Sequence, residues 1–302
     1  MKMRRTDLAM EARELWQESA GETTKLSGVE ARDGEREGIP VTTVRILDKE
    51  GEKALGKPKG NYVTLTLEGV ARREEDIFGR AARAVAAELT ELMEGVPDKG
   101  LVLVAGLGNR AITPDAIGPR VHENILVTRH LVEQIPEHFG DMRPVASLAA
   151  EVLGSTGVES GEVVKAVCEK IRPACIIAVD ALASRSLKRL CRTVQLADTG
   201  ITPGSGVGNH RMALTRESLG IPVVSIGVPT VVDGATLALD ILAQAGQEQL
   251  DPAALGGRGS DLFVTPREID AQVAGLAKVI GYGLSLALHP HLTVDDLMAL
   301  LE

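Results

Sequence analysis

Ala174-Cys175-Ile176-Ile177-Ala178-Val179-Asp180-Ala181-Leu182 is the stretch on which the reading of this chain turns. The apolar run from Ala174 to Val179 does not alternate, so it reads as a buried strand with Asp180 delivered at its edge. An earlier apolar run, Leu101 to Ala105, leads into the loop Gly108-Asn109-Arg110-Ala111-Ile112-Thr113-Pro114-Asp115, and a second aspartate thus follows a second strand. In an open α/β sheet, ligands and catalytic groups gather beyond the carboxyl ends of the strands, where two such carboxylates can converge on one water molecule. Asp115 and Asp180 therefore point to acid-base hydrolysis.

Burial directly after Val179 raises the pKa of Asp180, and a neighbouring carboxylate raises it further. A pair of this kind shares one proton, leaving one group as general base for water and the other as general acid or carbonyl polariser. The plainer alternative for either aspartate is a helix N-cap or a surface charge, and Thr113-Pro114-Asp115 is a credible helix start. Asp198 is a third candidate carboxylate.

Working outward, the chain has 302 residues, enough for one large α/β domain or two smaller ones. Its formal net charge of -9 argues against direct nucleic-acid binding. Met1 to Asp7 is basic, but no apolar signal-peptide core follows. No stretch approaches about 18 uninterrupted apolar residues, so a membrane span is not expected and the cytoplasm is the expected location. Cys168, Cys175 and Cys191 are an odd number without CxxC spacing, which suits reduced, buried thiols.

Leu8 to Gln17 has helical periodicity, and a polar region runs from Glu18 to Gly38. Val41 to Leu47 and Tyr62 to Leu67 alternate as strands, joined by the turn-rich segment Asp48 to Gly60. Glu74 to Met93 reads as a helix ending at Gly95. Strand and helix then alternate: a strand at Leu101 to Ala105, a helix after Asp115, a helix at Gly161 to Lys170, and a strand at Ile176 to Val179. A strand at Val223 to Ile226, a buried helix at Val231 to Ala243 and a late apolar helix at Ile269 to His289 complete the pattern. Such alternation predicts a sheet containing parallel strands with helices on both faces.

Three motifs compete with the aspartates. Gly106-Leu107-Gly108 resembles part of a dinucleotide fingerprint, but the third glycine position is Ala111 and no acidic ribose partner follows. Its rival reading is a tight strand exit that admits close backbone approach. The loop Thr199 to Arg211 is dense in glycine, and Gly204, Ser205, Gly206 and Gly208 are candidates for substrate or oxyanion contacts; it lacks a Walker ending, and Ser205 is not in a nucleophile elbow. His122, His130 and His138 recur every eight residues, which rotates successive rings by about 80° on a helix, and Ile135-Pro136 interrupts it. No metal site is assigned, although carboxylate-bound sites do not obey spacing rules.

These residues resemble the germination protease family of spore-forming bacteria, which degrades small acid-soluble spore proteins. The resemblance rests on Arg5-Thr6-Asp7-Leu8-Ala9-Met10-Glu11-Ala12, Gly106-Leu107-Gly108-Asn109 with Thr113-Pro114-Asp115, Asp180-Ala181-Leu182-Ala183, and Asp198-Thr199-Gly200 with Pro203-Gly204-Ser205-Gly206-Val207-Gly208-Asn209. It implies a three-layer α/β/α fold with a mixed, largely parallel central sheet related to hydrogenase-maturation proteases, with additional N-terminal β-strands. It implies Asp115 and Asp180 as the catalytic pair, no cofactor, a homotetramer, and residence in the forespore or spore core. The family is made as a zymogen and cuts after an acidic residue and before a hydrophobic one followed by alanine. Asp7-Leu8-Ala9 fits that rule, which implies a propeptide at 1–7 and one peptidase domain at 8–302. Other readings of the same residues are a metal-dependent peptidase and a non-catalytic peptide- or anion-binding protein on this scaffold.

Overall fold

The structure, a computed structural model, describes residues 6–20, 26–72, 74–204, 211–244 and 262–301. Its strands are β1 (Val29–Arg36), β2 (Ile39–Ile46), β3 (Gly60–Thr66), β4 (Val102–Leu107), β5 (Val145–Ala150), β6 (Cys175–Ala183), β7 (Thr193–Ala197), β8 (Val223–Asp233) and β9 (Phe263–Val264). Their order is β1-β2-β3-β7-β8-β6-β4-β5, with β9 on the far end of β8. The pairings β8-β6, β6-β4 and β4-β5 are parallel, and those from β1 through to β8 are antiparallel. The mixed sheet thus has a parallel block carrying the ends of β4 and β6 and an extension built from the N-terminal strands.

Alternation along the strands divides the core between two helical layers. Val104, Ile177, Val179, Val224 and Ile226 pack with Ala84, Val85, Ile117, Val121, Ile280 and Leu284. Those residues come from the helices Ile77–Leu92, Ile117–His122 and Ile269–Leu288. On the other face, Leu103, Ala105, Ile176 and Ala178 meet Val164 and Cys168 of the helix Ser160–Ile171. Further along that face, Val44, Ile46, Tyr62 and Ala197 pack with Ala9 of the helix Ala9–Ala20 and Leu55 of the helix Lys49–Leu55. The three-layer α/β/α arrangement follows. Helix Ile269–Leu288 is long and apolar enough to cross a bilayer, yet its apolar residues are mostly buried inside the protein. All three cysteines are free and buried, and burial pushes their thiols well above the ordinary value.

Several elements differ from their sequence reading. β1 lies in the stretch read as merely polar, because an edge strand pairs on one side only and leaves Glu30, Arg32 and Glu35 in solvent. The turn-rich connection hides the helix Lys49–Leu55, which Asp48 starts by accepting from the Glu50 and Gly51 amides at 2.9 and 3.0 Å. β5 and β7 were not foreseen. The helix expected from Val231 begins only at Gly234, because β8 continues through its pairing of Val231 with Ala183 and then of Val232 with Val264. Asp233 closes the strand and caps the helix, accepting from the Thr236 amide at 2.8 Å. The helix after Asp115 begins at Ile117, preceded by a 3₁₀ turn at Thr113–Asp115.

One buried acid locks the first helix to the sheet. Glu11 is fully buried and accepts from Ser184 Oγ at 2.9 Å, the Arg185 amide at 2.7 Å, the Ser186 amide at 3.1 Å and Arg189 Nη1 at 2.9 Å. Thr6 Oγ1 also donates to it. Replacing Glu11 by Ala leaves two buried amides and a largely buried guanidinium without their acceptor, so the variant is expected to lose about 3 kcal/mol of stability, measured by urea unfolding.

Candidate active site

Asp180 sits on β6 one residue beyond the Val179 that faces Gly106 of β4, and it is opposite Gly227 of β8. It is only 5% exposed, and its Oδ1 accepts from the Ala181 amide at 2.9 Å. Asp115 arrives from the neighbouring strand through a closed loop. Asn109 N donates to Asp115 O at 2.9 Å, Ile112 N to Asn109 O at 3.1 Å, and Asp115 N to Ile112 O at 2.8 Å. Thr230 of β8 pins the turn from the other side, donating to Pro114 O at 2.6 Å.

Gly106, Gly108 and Gly118 each meet backbone at close range. Gly108 has φ +117°, and a Cβ there would lie 2.0 Å from the Asp115 carbonyl oxygen. A Cβ on Gly106 would lie 2.2 Å from Gly118 O, and one on Gly118 would lie 2.3 Å from Leu107 O and 2.5 Å from Val179 O. These positions therefore serve the seating of the Asp115 turn and of the helix behind it, which is the tight strand exit expected as the rival.

Asp115 and Asp180 line one cavity of about 290 Å³, together with Asp7, Ala183, Arg211 and Phe263 among others. Burial first, and then the charge of Asp115, pushes the Asp180 carboxyl up to about 8; Asp7 adds to the rise, and the Ala181 amide and Arg211 oppose it. Asp115 is also raised, chiefly by burial, with the Asn109 amide and Arg211 pulling the other way. Two raised carboxyls in one cavity can hold a proton at neutral pH and exchange it with a bound water.

The N-terminal segment enters the same cavity. Asp7 N donates to Ala183 O at 3.0 Å, and Asp7 Oδ2 accepts from the Ala183 amide at 2.9 Å. Asp7 O accepts from Lys57 Nζ at 2.8 Å and from Gln195 Nε2 at 3.3 Å. The adjoining Leu8 is fully buried, and Ala9 N donates to Gln195 Oε1 at 2.7 Å. The backbone on both sides of the Asp7-Leu8 bond is thus fixed against β6 and β7.

A family model described as germination protease matches residues 9–249. The chain belongs to the germination protease family. Germination proteases of Caldanaerobacter subterraneus, Clostridium perfringens and Bacillus cytotoxicus are 44%, 42% and 38% identical to it. The matches cover 99%, 97% and 97% of this chain and 98%, 97% and 95% of those relatives. Among solved structures, a NiFe hydrogenase maturation protease, HycI from Thermococcus kodakarensis, is matched with TM-score 0.36 and 20% identity over 65% of this chain and 98% of that one. Membership of the germination protease family makes the chain an endopeptidase.

Within this germination protease chain, the structure brings Asp7, Asp115, Asp180 and Gly204 to one cavity. Ser205, Gly206 and Gly208 lie outside the described residues. Asp198 is engaged elsewhere, accepting from Asn61 N at 2.8 Å and Asn61 Nδ2 at 2.6 Å to join β3 to the loop after β7. His122 bonds Ser147 Oγ at 2.8 Å, and Ile135 separates the short helices that carry His130 and His138. Among the described residues, no group of three or more His, Cys, Asp or Glu is arranged to hold a metal ion. Lys57 and Gln195 were missed because one stands in an apparent turn and the other in an unforeseen strand. The only sequence signal for Lys57 was a lysine held beside Pro58 after a helix-ending glycine.

The raised Asp180 has a stability signature. Below about pH 4 both folded and unfolded chains hold the proton and there is no penalty. Between there and about 8 the folded chain keeps a proton that the unfolded chain releases, so stability falls as pH rises and the full penalty is reached above about 8. Asp180→Asn removes this burden. Its melting temperature is expected to exceed that of the parent by on the order of several degrees at pH 8.5, with the gap closing at pH 4.5, as read by scanning calorimetry.

Proposed function

We propose that this chain is a self-processing endopeptidase that initiates degradation of small acid-soluble spore proteins during germination, with Asp115 and Asp180 activating the water. The observation that carries this reading is the acid-leucine-alanine junction Asp7-Leu8-Ala9, hydrogen-bonded to β6 and β7 with Asp7 lining the same cavity as the two carboxyls. In the proposed zymogen, residues 1–7 are the propeptide and 8–302 the peptidase domain. Cytoplasm of the forespore or spore core and a homotetrameric assembly belong to the same proposal.

The chemistry needs one carboxylate and one carboxylic acid. The ionised member takes a proton from water as it attacks the peptide carbonyl carbon, and the protonated member supplies one to the departing nitrogen. The high pKa of Asp180 keeps a proton available at neutral pH, and the pair titrates as a unit. Raising the pH through about 8 removes that acid, so the cleavage rate is expected to decline there.

Mass spectrometry of the purified chain after mild acidification provides the test, with a small acid-soluble spore protein then added as substrate. The expected result is a new N-terminus at Leu8 followed by cleavage of the added protein. Asp115→Asn and Asp180→Asn should each slow both reactions by at least about 10²-fold while leaving the circular dichroism spectrum intact. Undiminished turnover in either variant would rule out the aspartate pair, and an intact N-terminus under all conditions would rule out self-processing.

A further inference from the structure

We infer that Lys57 and Gln195 form the oxyanion site of this peptidase, polarising the carbonyl of the residue on the N-terminal side of the cut. The inference rests on the proposed cut between Asp7 and Leu8 and names the groups that act on its carbonyl oxygen. Two donors already meet that oxygen, Lys57 Nζ at 2.8 Å and Gln195 Nε2 at 3.3 Å. The ammonium-donor distance is that of a charge-assisted hydrogen bond. Paired donors on the oxygen of a scissile carbonyl, inside a site that excludes water, are what stabilises the charge of a tetrahedral intermediate.

Their placement relative to the aspartates is the second support. Asp7 borders two adjoining cavities, one lined by Asp115 and Asp180 and the other by Lys57 and Gln195. The carboxyls and the oxygen donors thus border the same residue through separate cavities. Attack of water on the Asp7 carbonyl carbon places the developing negative charge on the oxygen that the ammonium and the amide already hold.

Both groups are held in place by the elements around them. Gly56 ends the helix Lys49–Leu55 in the left-handed conformation at φ 64°, its amide bonded to Glu52 O at 2.7 Å, and so turns the chain inward at Lys57. Tyr62 OH donates to Pro58 O at 2.8 Å and fixes the far side of the turn. Gln195 on β7 is oriented by its other end, where Oε1 accepts from Ala9 N at 2.7 Å, which leaves Nε2 to face Asp7 O. Burial lowers the pKa of Lys57, and the charges of Asp7 and Glu11 oppose that fall.

The step balances without any further reactant. One water adds to the Asp7 carbonyl carbon, its proton passes to the carboxyl pair, and the carbonyl π electrons move onto the oxygen held by Lys57 and Gln195. As the tetrahedral centre collapses, the C–N bond breaks and a proton from the pair reaches the Leu8 nitrogen. The products are a carboxyl at Asp7 and an amine at Leu8. Lys57 and Gln195 take no proton, and their contribution is electrostatic.

The test uses the chain beginning at Leu8 and a synthetic peptide of residues 1–14 as substrate, with self-cleavage of the full chain measured in parallel. Lys57→Met keeps the side-chain length without the charge. Gln195→Glu keeps the acceptor for Ala9 N and replaces the donor to the carbonyl with an acceptor. Each is expected to lower kcat by about 10²- to 10³-fold with KM changed only a few-fold, and Lys57→Arg should recover part of the loss in kcat. Thermal melts identify any variant that fails to fold, and the remaining one then decides. Parent-like kcat in a folded Lys57→Met or Gln195→Glu chain, or a loss confined to KM, overturns the inference while Asp115→Asn and Asp180→Asn stay inactive and the proposed function stands. If the parent cuts neither its own Asp7-Leu8 bond nor the peptide, the proposed function falls and this inference with it.

Discussion

Gly118 brings helix backbone directly against strand backbone. With no side chain between them, the helix Ile117–His122 rests on the carbonyl oxygens of Leu107, at the end of β4, and of Val179, midway along β6. Gly106 permits the same contact from the strand side, and Gly108 admits the Asp115 carbonyl that ends the loop. The turn carrying Asp115 is thereby pressed into the space beside Asp180. Everything particular to the site follows from that contact: two carboxyls share one cavity, the neighbour's charge lifts the pKa of Asp180, and Arg211 moderates both. One methyl group at any of the three glycines would meet backbone atoms that cannot swing aside.

β4, β6 and β8 were legible in the sequence because they are buried on both faces and read as uninterrupted apolar runs. Ile176 to Val179 needs no partner sequence to be recognised. The two outer strands were harder to read, since β1 carries Glu30, Arg32 and Glu35 on exposed positions and β5, parallel to β4 at the other edge, alternates only weakly. The boundary at Val231 was misplaced for a different reason. Its apolar residues suit either a strand or a buried helix, and only pairing with Ala183 and Val264 decides between them.

The candidate site shows the same division. Asp115 and Asp180 could be found because each follows an apolar run, although β6 continues through Asp180 to Ala183 by its pairing with β8, so that only Asp115 lies beyond a strand end. Lys57 could not, because its destination depends on a helix hidden in a turn-rich segment and on a neighbour 50 residues earlier in sequence. Long-range contacts of this sort leave no periodic trace. The acidic residue Asp7 stood out only through a motif, and its pairing with Ala183 is a fact of three dimensions.

Asp7 is also an occupant on a tether. Glu11, anchored by four groups of the 184–189 segment, fixes the chain only four residues beyond it, so Asp7 cannot drift far from the groove while the backbone is continuous. A tether this short corresponds to a local concentration on the order of millimolar or higher, and any peptide entering the groove must outcompete it. In the proposed zymogen, severing the bond after Asp7 abolishes that advantage at a stroke: the freed segment is diluted into the surroundings. On that proposal, the groove's accessibility is governed by chain connectivity.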